Sequence, residues 1–204
     1  EVVEPGYYSV PLTRYNILAE MTATERGGLH RYTFPASDEA AIILDLVHGG
    51  CFDRPEDLFA EAVSDTRVVG RRHSWGWSNN QKVYFVIEFS KPFDKFEPIG
   101  ENGFYYRIHF KTEEGEQIGV KVALSSTSPA GAELNFSTEV KDKDFDTVRK
   151  ETRAKWQNEL RKIRIYGATE EQNEIFYTGM YHMYVAPSLF SDVDGTYRGA
   201  DQEI

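Results

Sequence analysis

Cysteine is all but missing from this chain: Cys51 stands alone among 204 residues, which excludes an internal disulfide framework. No activating pattern surrounds Cys51, so it reads as a small apolar filler and not as a thiolate nucleophile. An excess of basic residues is lacking as well. The 23 Lys and Arg against 33 Asp and Glu leave a formal charge of −10, the reverse of a surface that neutralises phosphates, so no nucleic-acid partner is expected. No apolar run approaches the roughly 18 residues needed to span a bilayer, and no charged n-region with an apolar stretch behind it opens the chain. His30, His48, His73, His109 and His182 show no H-x-x-H or H-E-x-x-H spacing, so no zinc site is expected. A G-x-S-x-G elbow and a Gly-rich phosphate loop are missing too. The acidic residues are many, yet no two of them stand out as a hydrolytic pair.

Aromatic residues and period-two patterning are what the chain has in quantity. Tyr and Phe number 12 and 13, a density that fits a β-sandwich core or stacking platforms for sugars. Val83, Phe85, Ile87 and Phe89 alternate along 82–89. Phe104, Tyr106, Ile108 and Phe110 do the same, as do Ile118, Val120, Val122 and Leu124. Such spacing between Gly-rich and charged turns marks half-buried antiparallel strands. Further strands are expected over 7–10, 17–24, 31–34 and 41–46. The nearly continuous apolar run 40–47 reads as a central strand covered on both faces. Residues 1–140 are therefore expected to form a mainly β unit, an antiparallel β-sandwich.

Near residue 142 the period changes to three and four: Phe145, Val148, Thr152, Trp156, Leu160 and Ile163 form one stripe, with Asp144 or Asp146 as cap and Glu151–Lys155 as an i,i+4 pair. This amphipathic helix, within 141–167, must bury its stripe against something outside itself. A second helix starts at Thr169, where Thr169-Glu170-Glu171-Gln172 has capping-box form. Phe176, Met180 and Met183 make one row and Tyr177, Tyr181 and Tyr184 another, running toward Pro187. A helix apolar over most of its circumference expects to be surrounded. The chain is accordingly expected to be a piece of a larger protein, with 168–204 the truncated start of a helical domain. His182 on this helix reads as a hydrogen-bonded core histidine, and His109 as facing away from the apolar row of its strand.

Two loops carry chemistry. Asp192-Val193-Asp194-Gly195 invites a calcium-loop reading, but Gly falls at position four and Tyr197 at position six, which breaks the EF-hand register. Two readings stay open: a tight Asp-Gly turn, or a polar loop whose Asp192, Asp194, Arg198 and Asp201 face a pocket. The loop around Arg71-Arg72-His73-Ser74-Trp75-Gly76-Trp77-Ser78-Asn79-Asn80 offers Trp75 and Trp77 either as lids on the sandwich edge or as platforms for a sugar ring. On residues alone, a non-catalytic carbohydrate-binding module and a structural interaction domain remain alternatives to an enzyme fragment.

In order along the chain, the sequence resembles glycoside hydrolase family 92, the calcium-dependent exo-α-mannosidases. The resemblance rests on Gly6-Tyr7-Tyr8-Ser9-Val10, Ala19-Glu20-Met21-Thr22-Ala23-Thr24 with Arg26, His30-Arg31-Tyr32-Thr33-Phe34-Pro35, Val83-Tyr84-Phe85-Val86, Phe89-Ser90-Lys91-Pro92-Phe93, Trp156 with Leu160-Arg161-Lys162-Ile163, Phe176-Tyr177-Thr178, Tyr181-His182, and Asp192 to Asp201. It implies a sandwich, a linker helix and the first helix of an (α/α)₆ barrel that carries catalysis. It further implies inverting, calcium-assisted removal of terminal α-mannose from mannan or N-glycans, in a secreted or periplasmic protein. The catalytic carboxylates and calcium ligands are expected beyond residue 204, and an early motif rich in His and Gly before residue 1. Within this chain Asp201 is the best candidate for bonding mannose hydroxyls, and the 75–80 loop for a leaving-group subsite. Mannose-containing glycans and a C-terminal catalytic domain are the partners implied. Strands missing from the sandwich would leave edges open to self-association, and the fragment alone is expected to be inactive.

Overall fold

The computed structural model describes residues 1–49, 52–76, 78–101, 103–186 and 188–204; Cys51, Trp77 and Pro187 lie outside the described residues. In chain order the strands are β1 (Val2–Glu4), β2 (Tyr7–Leu12), β3 (Ile17–Ala23), β4 (Gly27–Phe34), β5 (Ser37–Asp45), β6 (Arg54–Ala62), β7 (Arg67–Trp75), β8 (Gln81–Phe89), β9 (Lys95–Ile99), β10 (Tyr105–Thr112) and β11 (Glu116–Ser125). The helices α1 (Pro129–Glu139), α2 (Phe145–Leu160) and α3 (Glu170–Met183) follow. Among the described residues the strands form an eight-stranded sheet, ordered β1-β2-β3-β4-β11-β8-β7-β6, and a three-stranded sheet, ordered β5-β10-β9. The pairings are antiparallel throughout.

Alternation decides what each face of the large sheet buries. Phe85, Ile87, Phe89, Ile118 and Val120 turn one way and pack with Ile108 and Phe110 of the small sheet. Leu29, Val86 and Ala123 turn the other way, onto Ala132, Phe136 and Val140 at α1 and Val148 of α2. The molecule is thus a sandwich with helices laid on the outer face of its large sheet. Side chains on alternate positions of a strand point to opposite faces, which is why one sheet serves two cores.

The sequence expectations hold for most strands and for both predicted helices. Asp144 caps α2 through Thr147, and Thr169 and Gln172 close the capping box of α3. Residues 129–139 are helical and not β as expected. Ser128 caps α1 by accepting from the Gly131 amide, and Pro129 occupies the first turn, a start signal that needs no amphipathic stripe. The 71–75 segment, expected in a loop, is the end of β7. The run 40–47, expected at the centre of a sheet, contributes to β5, an edge strand. Glu151 and Lys155 do not pair: Lys143 takes Glu151 and Lys155 takes Glu25. The stripe of α2 does find its partner, since Phe145 packs edge-on to Tyr7 and the Thr152 hydroxyl donates to the Ala23 carbonyl at 2.6 Å. Trp156 meets Tyr181 of α3 at 4.7 Å between ring centres. His182 is exposed, not a core residue, whereas His109 turns outward as expected and meets Glu97 at 2.7 Å.

Candidate functional site

The 188–203 segment crosses one end of the sandwich as a strap. Asp192, 2% exposed, accepts at one carboxylate oxygen from the Ser125 and Thr127 hydroxyls, at 2.7 and 2.5 Å, and at the other from the Asn135 amide at 2.8 Å. Asn135 in turn accepts from the Val193 backbone. A side chain on Gly131 would put its Cβ 2.3 Å from the same carboxylate, so glycine is required where α1 meets the strap. Arg26, from the β3–β4 turn, donates to the Ser191 carbonyl and to Glu139 at the end of α1. The three donor positions of Arg198 are all spent on backbone carbonyls, those of Ser126, Thr127 and Gln202.

The loop between these anchors is closed on itself. Asp192 N–H donates to the Thr196 carbonyl, and Gly195, at φ 86°, turns the chain back. The Asp194 carboxylate accepts from the Thr196 amide and hydroxyl at 2.9 and 2.7 Å, and these bonds hold its pKa below the ordinary carboxylate value, the hydroxyl contributing most. Of the acids assigned to a pocket, Asp192 therefore points inward as an anchor, Arg198 is a second anchor, and Asp194 stabilises its own turn. Asp201 is exposed and receives one local bond, from the Glu203 amide at 3.2 Å. The tight-turn reading fits the first part of the loop; the pocket-facing reading survives for Asp201.

The strap meets the β7–β8 loop here. Gln202, next to Asp201, donates to the Asn79 carbonyl at 3.4 Å. Trp75 closes β7 with 47% of its surface exposed and the Arg54 guanidinium 6.0 Å from its ring centre; Trp77 lies outside the described residues. Two non-glycine residues at this junction, Asn80 and Gln202, hold positive φ of 55° and 73°, and backbone strain of that kind collects at binding sites. An ordered strap and a half-exposed Trp75 tell against a structural domain with buried tryptophans and a disordered tail. A neighbouring cleft of about 520 Å³ is lined by Arg26, His30, Val83, Leu124, Leu189 and Phe190 among others. The sequence gave no warning of Asn135, Ser125 or Thr127; their signal is a set of small polar residues flanking the Ser-Pro helix start.

Burial holds the His30 and His73 imidazoles below the ordinary histidine pKa, so both are neutral rings in the folded chain. Glu20 and Asp53 are held below the carboxylate range, chiefly by hydrogen bonds from Arg31 and Arg72 respectively. Both effects have one sign: the unfolded chain takes up protons before the folded one, so acid removes stability. The histidine part is lost as pH falls through the unfolded value of about 6.5, and the carboxylate part below about 4. A melting-temperature series should therefore be flat near about pH 7.5, decline gently toward about pH 5 and fall steeply below about pH 4. A flat profile down to about pH 5 contradicts the histidine contribution.

The "Glycosyl hydrolase family 92 N-terminal domain" profile matches residues 1–125, and the "Glycosyl hydrolase family 92 catalytic domain" profile matches residues 131–204. The chain belongs to glycosyl hydrolase family 92. Among solved structures of the family, the GH92 alpha-mannosidase BT3965 from Bacteroides thetaiotaomicron is 31% identical with a TM-score of 0.90, over 98% of this chain and 29% of that one. The GH92 glycosyl hydrolase ccman5 is 26% identical with a TM-score of 0.84, over 97% and 30%. The GH92 inverting mannosidase BT2199 from Bacteroides thetaiotaomicron VPI-5482 is 25% identical at 0.84, over 98% and 28%. No curated protein sequence matches the chain. The chain thus spans less than a third of the length of these GH92 structures. Among the described residues of this GH92 chain, no three His, Cys, Asp or Glu side chains cluster to hold a metal ion. Asp192 and Asp194 are already engaged, so the strap does not fit a calcium site. No helix of the described residues is long and apolar enough to cross a membrane.

Proposed function

We propose that residues 1–204 are the sandwich and barrel entry of an α-mannosidase that removes terminal α-mannose by inverting hydrolysis. The observation that carries this is the matching of both GH92 profiles, in order, on a chain that superposes on the alpha-mannosidase BT3965. A structure of that relative holds mannoimidazole. In inverting hydrolysis a carboxylic acid protonates the leaving oxygen while a carboxylate activates water from the opposite face. Both groups, and ligands for a calcium ion, would come from outside residues 1–204. The chain is divided as sandwich 1–140, linker helix 141–167 and the start of the helical domain 168–204. The exposed Ile175, Met183 and Tyr184 at α3 would pack on the rest of that domain. A mannan or N-glycan substrate and a periplasmic or secreted location complete the reading.

Asp201 would bond sugar hydroxyls, and Trp75 would stack on a ring at the rim. In the intact enzyme Asp201→Ala is expected to lower kcat/KM by about a hundredfold and Trp75→Ala by about tenfold, as the loss of one charged hydrogen bond and one stacking contact. Unchanged kinetics in both variants would remove this rim from the site. Chain 1–204 alone should release no mannose and give no heat on titration with mannobiose, with or without calcium. Heat from the isolated chain would favour the second reading, a carbohydrate-binding module, for which the half-exposed Trp75 is the supporting feature.

A further inference from the structure

The small sheet leaves much of the large sheet bare. β5 pairs with β10 on one side and, among the described residues, with no strand on the other. Its middle, Ala40-Ala41-Ile42-Ile43-Leu44, is five apolar residues in unbroken register with Phe110 to Tyr106. Natural edge strands are blunted by charge, proline or a bulge, and this stretch has none of them. Ile43 turns away from the sandwich and is 50% exposed. A composition of this kind belongs to a strand with neighbours on both sides.

The surface beside that edge is apolar too. The 35–36 connection sets the start of β5 above β4, and a cavity of about 280 Å³ between the sheets is lined by Ile42, Ile43 and Leu44 of β5 and by His30, Tyr32 and Leu124 of the large sheet. Register carries the same face outward to the large sheet's own edge: His30 is opposite Met21, Met21 opposite Tyr8, and Tyr8 opposite Val3. Val3 is 72% exposed, and Leu12 on the same face 40%.

We propose that the free edge of β5 is completed by a further extended strand of the same polypeptide, from outside residues 1–204, whose alternate apolar side chains fill the cavity and begin to cover the inner face of β1–β3. A row of unsatisfied backbone groups beside a half-covered sheet selects a β-strand over a helix or small molecule, because main-chain bonds supply affinity and alternate pockets supply register. Polypeptide is at hand, since this segment is about 29% of the length of a family member. A second copy fits less well. Antiparallel pairing of β5 with its own copy would put both large sheets in one layer, where the overhanging β1–β3 of each would collide.

The test compares backbone hydrogen exchange over 37–45 in chain 1–204 and in the intact polypeptide, with sedimentation of both over a range of concentrations. The expected result is exchange slowed at least about a hundredfold in the intact polypeptide, with β10 unchanged and chain 1–204 monomeric. Equal exchange in the two, fast or slow, overturns the proposal. So does protection in chain 1–204 that grows with concentration alongside a dimer, which would assign the edge to a second copy.

Discussion

Asp192→Ala is expected to lower the unfolding free energy of chain 1–204 by about 3 kcal/mol, because three buried donors lose a charged acceptor at once. The hydroxyls of Ser125 and Thr127 and the amide of Asn135 surround that carboxylate, and no water-accessible route replaces it at 2% exposure. Asp192→Asn should recover a good part of the loss. Its carbonyl still accepts from Asn135, and its amide donates to hydroxyls that can turn to accept. Asp194→Ala, which removes one exposed turn bond pair, should cost under about 1 kcal/mol. Urea melts read the three values, and proteolysis over 188–204 reads release of the strap. If Asp192→Ala leaves both unchanged, the strap is not held by its carboxylate and the pocket-facing reading of Asp192 returns.

Arg72→Ala carries the other large effect, about 3–5 kcal/mol, the cost of leaving one half of a buried pair behind. Its guanidinium bonds Asp53 at 2.5 Å and the Leu46 and Val47 carbonyls at 2.9 and 3.3 Å, with the two side chains 17% and 8% exposed. These bonds fasten the crossing from β5 to β6, the only covalent route between the sheets at that end among the described residues. Removing both charges together, Arg72→Met with Asp53→Leu, should cost far less than the single change, since no ion is stranded. The cycle of single and double variants gives the coupling. Additive losses would mean that the two side chains act separately.

The strands with clean alternation, 82–89 and 116–125, were legible because each buries both faces differently and the pattern is written at every second residue. The caps at Asp144 and Thr169 were legible because their chemistry is local. α1 was not: its buried face is Gly131, Ala132, Asn135 and Phe136, too small and too polar to mark a stripe, and its stability comes from tertiary packing that no window of sequence contains. β6, with Glu56, Asp57 and Glu61 among its residues, hid for a related reason. Arg71 meets Asp57 across the strand pair, so charge sits where apolar alternation would be sought. At the candidate site the residue types were visible and their directions were not. Asp192, Asp194 and Asp201 look alike in sequence, and only the small partners brought from β11 and α1 turn the first of them inward.

The apolar layer on the outer face of the large sheet draws on both family-92 segments, with Leu29, Val86 and Ala123 from one and Ala132, Phe136 and Val148 from the other. The seam between the segments is therefore an interior and not a tether. A gene that carried the first segment into a new setting would carry a sticky, unroofed sheet, and the second segment would arrive with helices that have lost their floor. Domains joined by a loose linker are free to be shuffled among proteins; these two are bound to be inherited, and to diverge, as a pair.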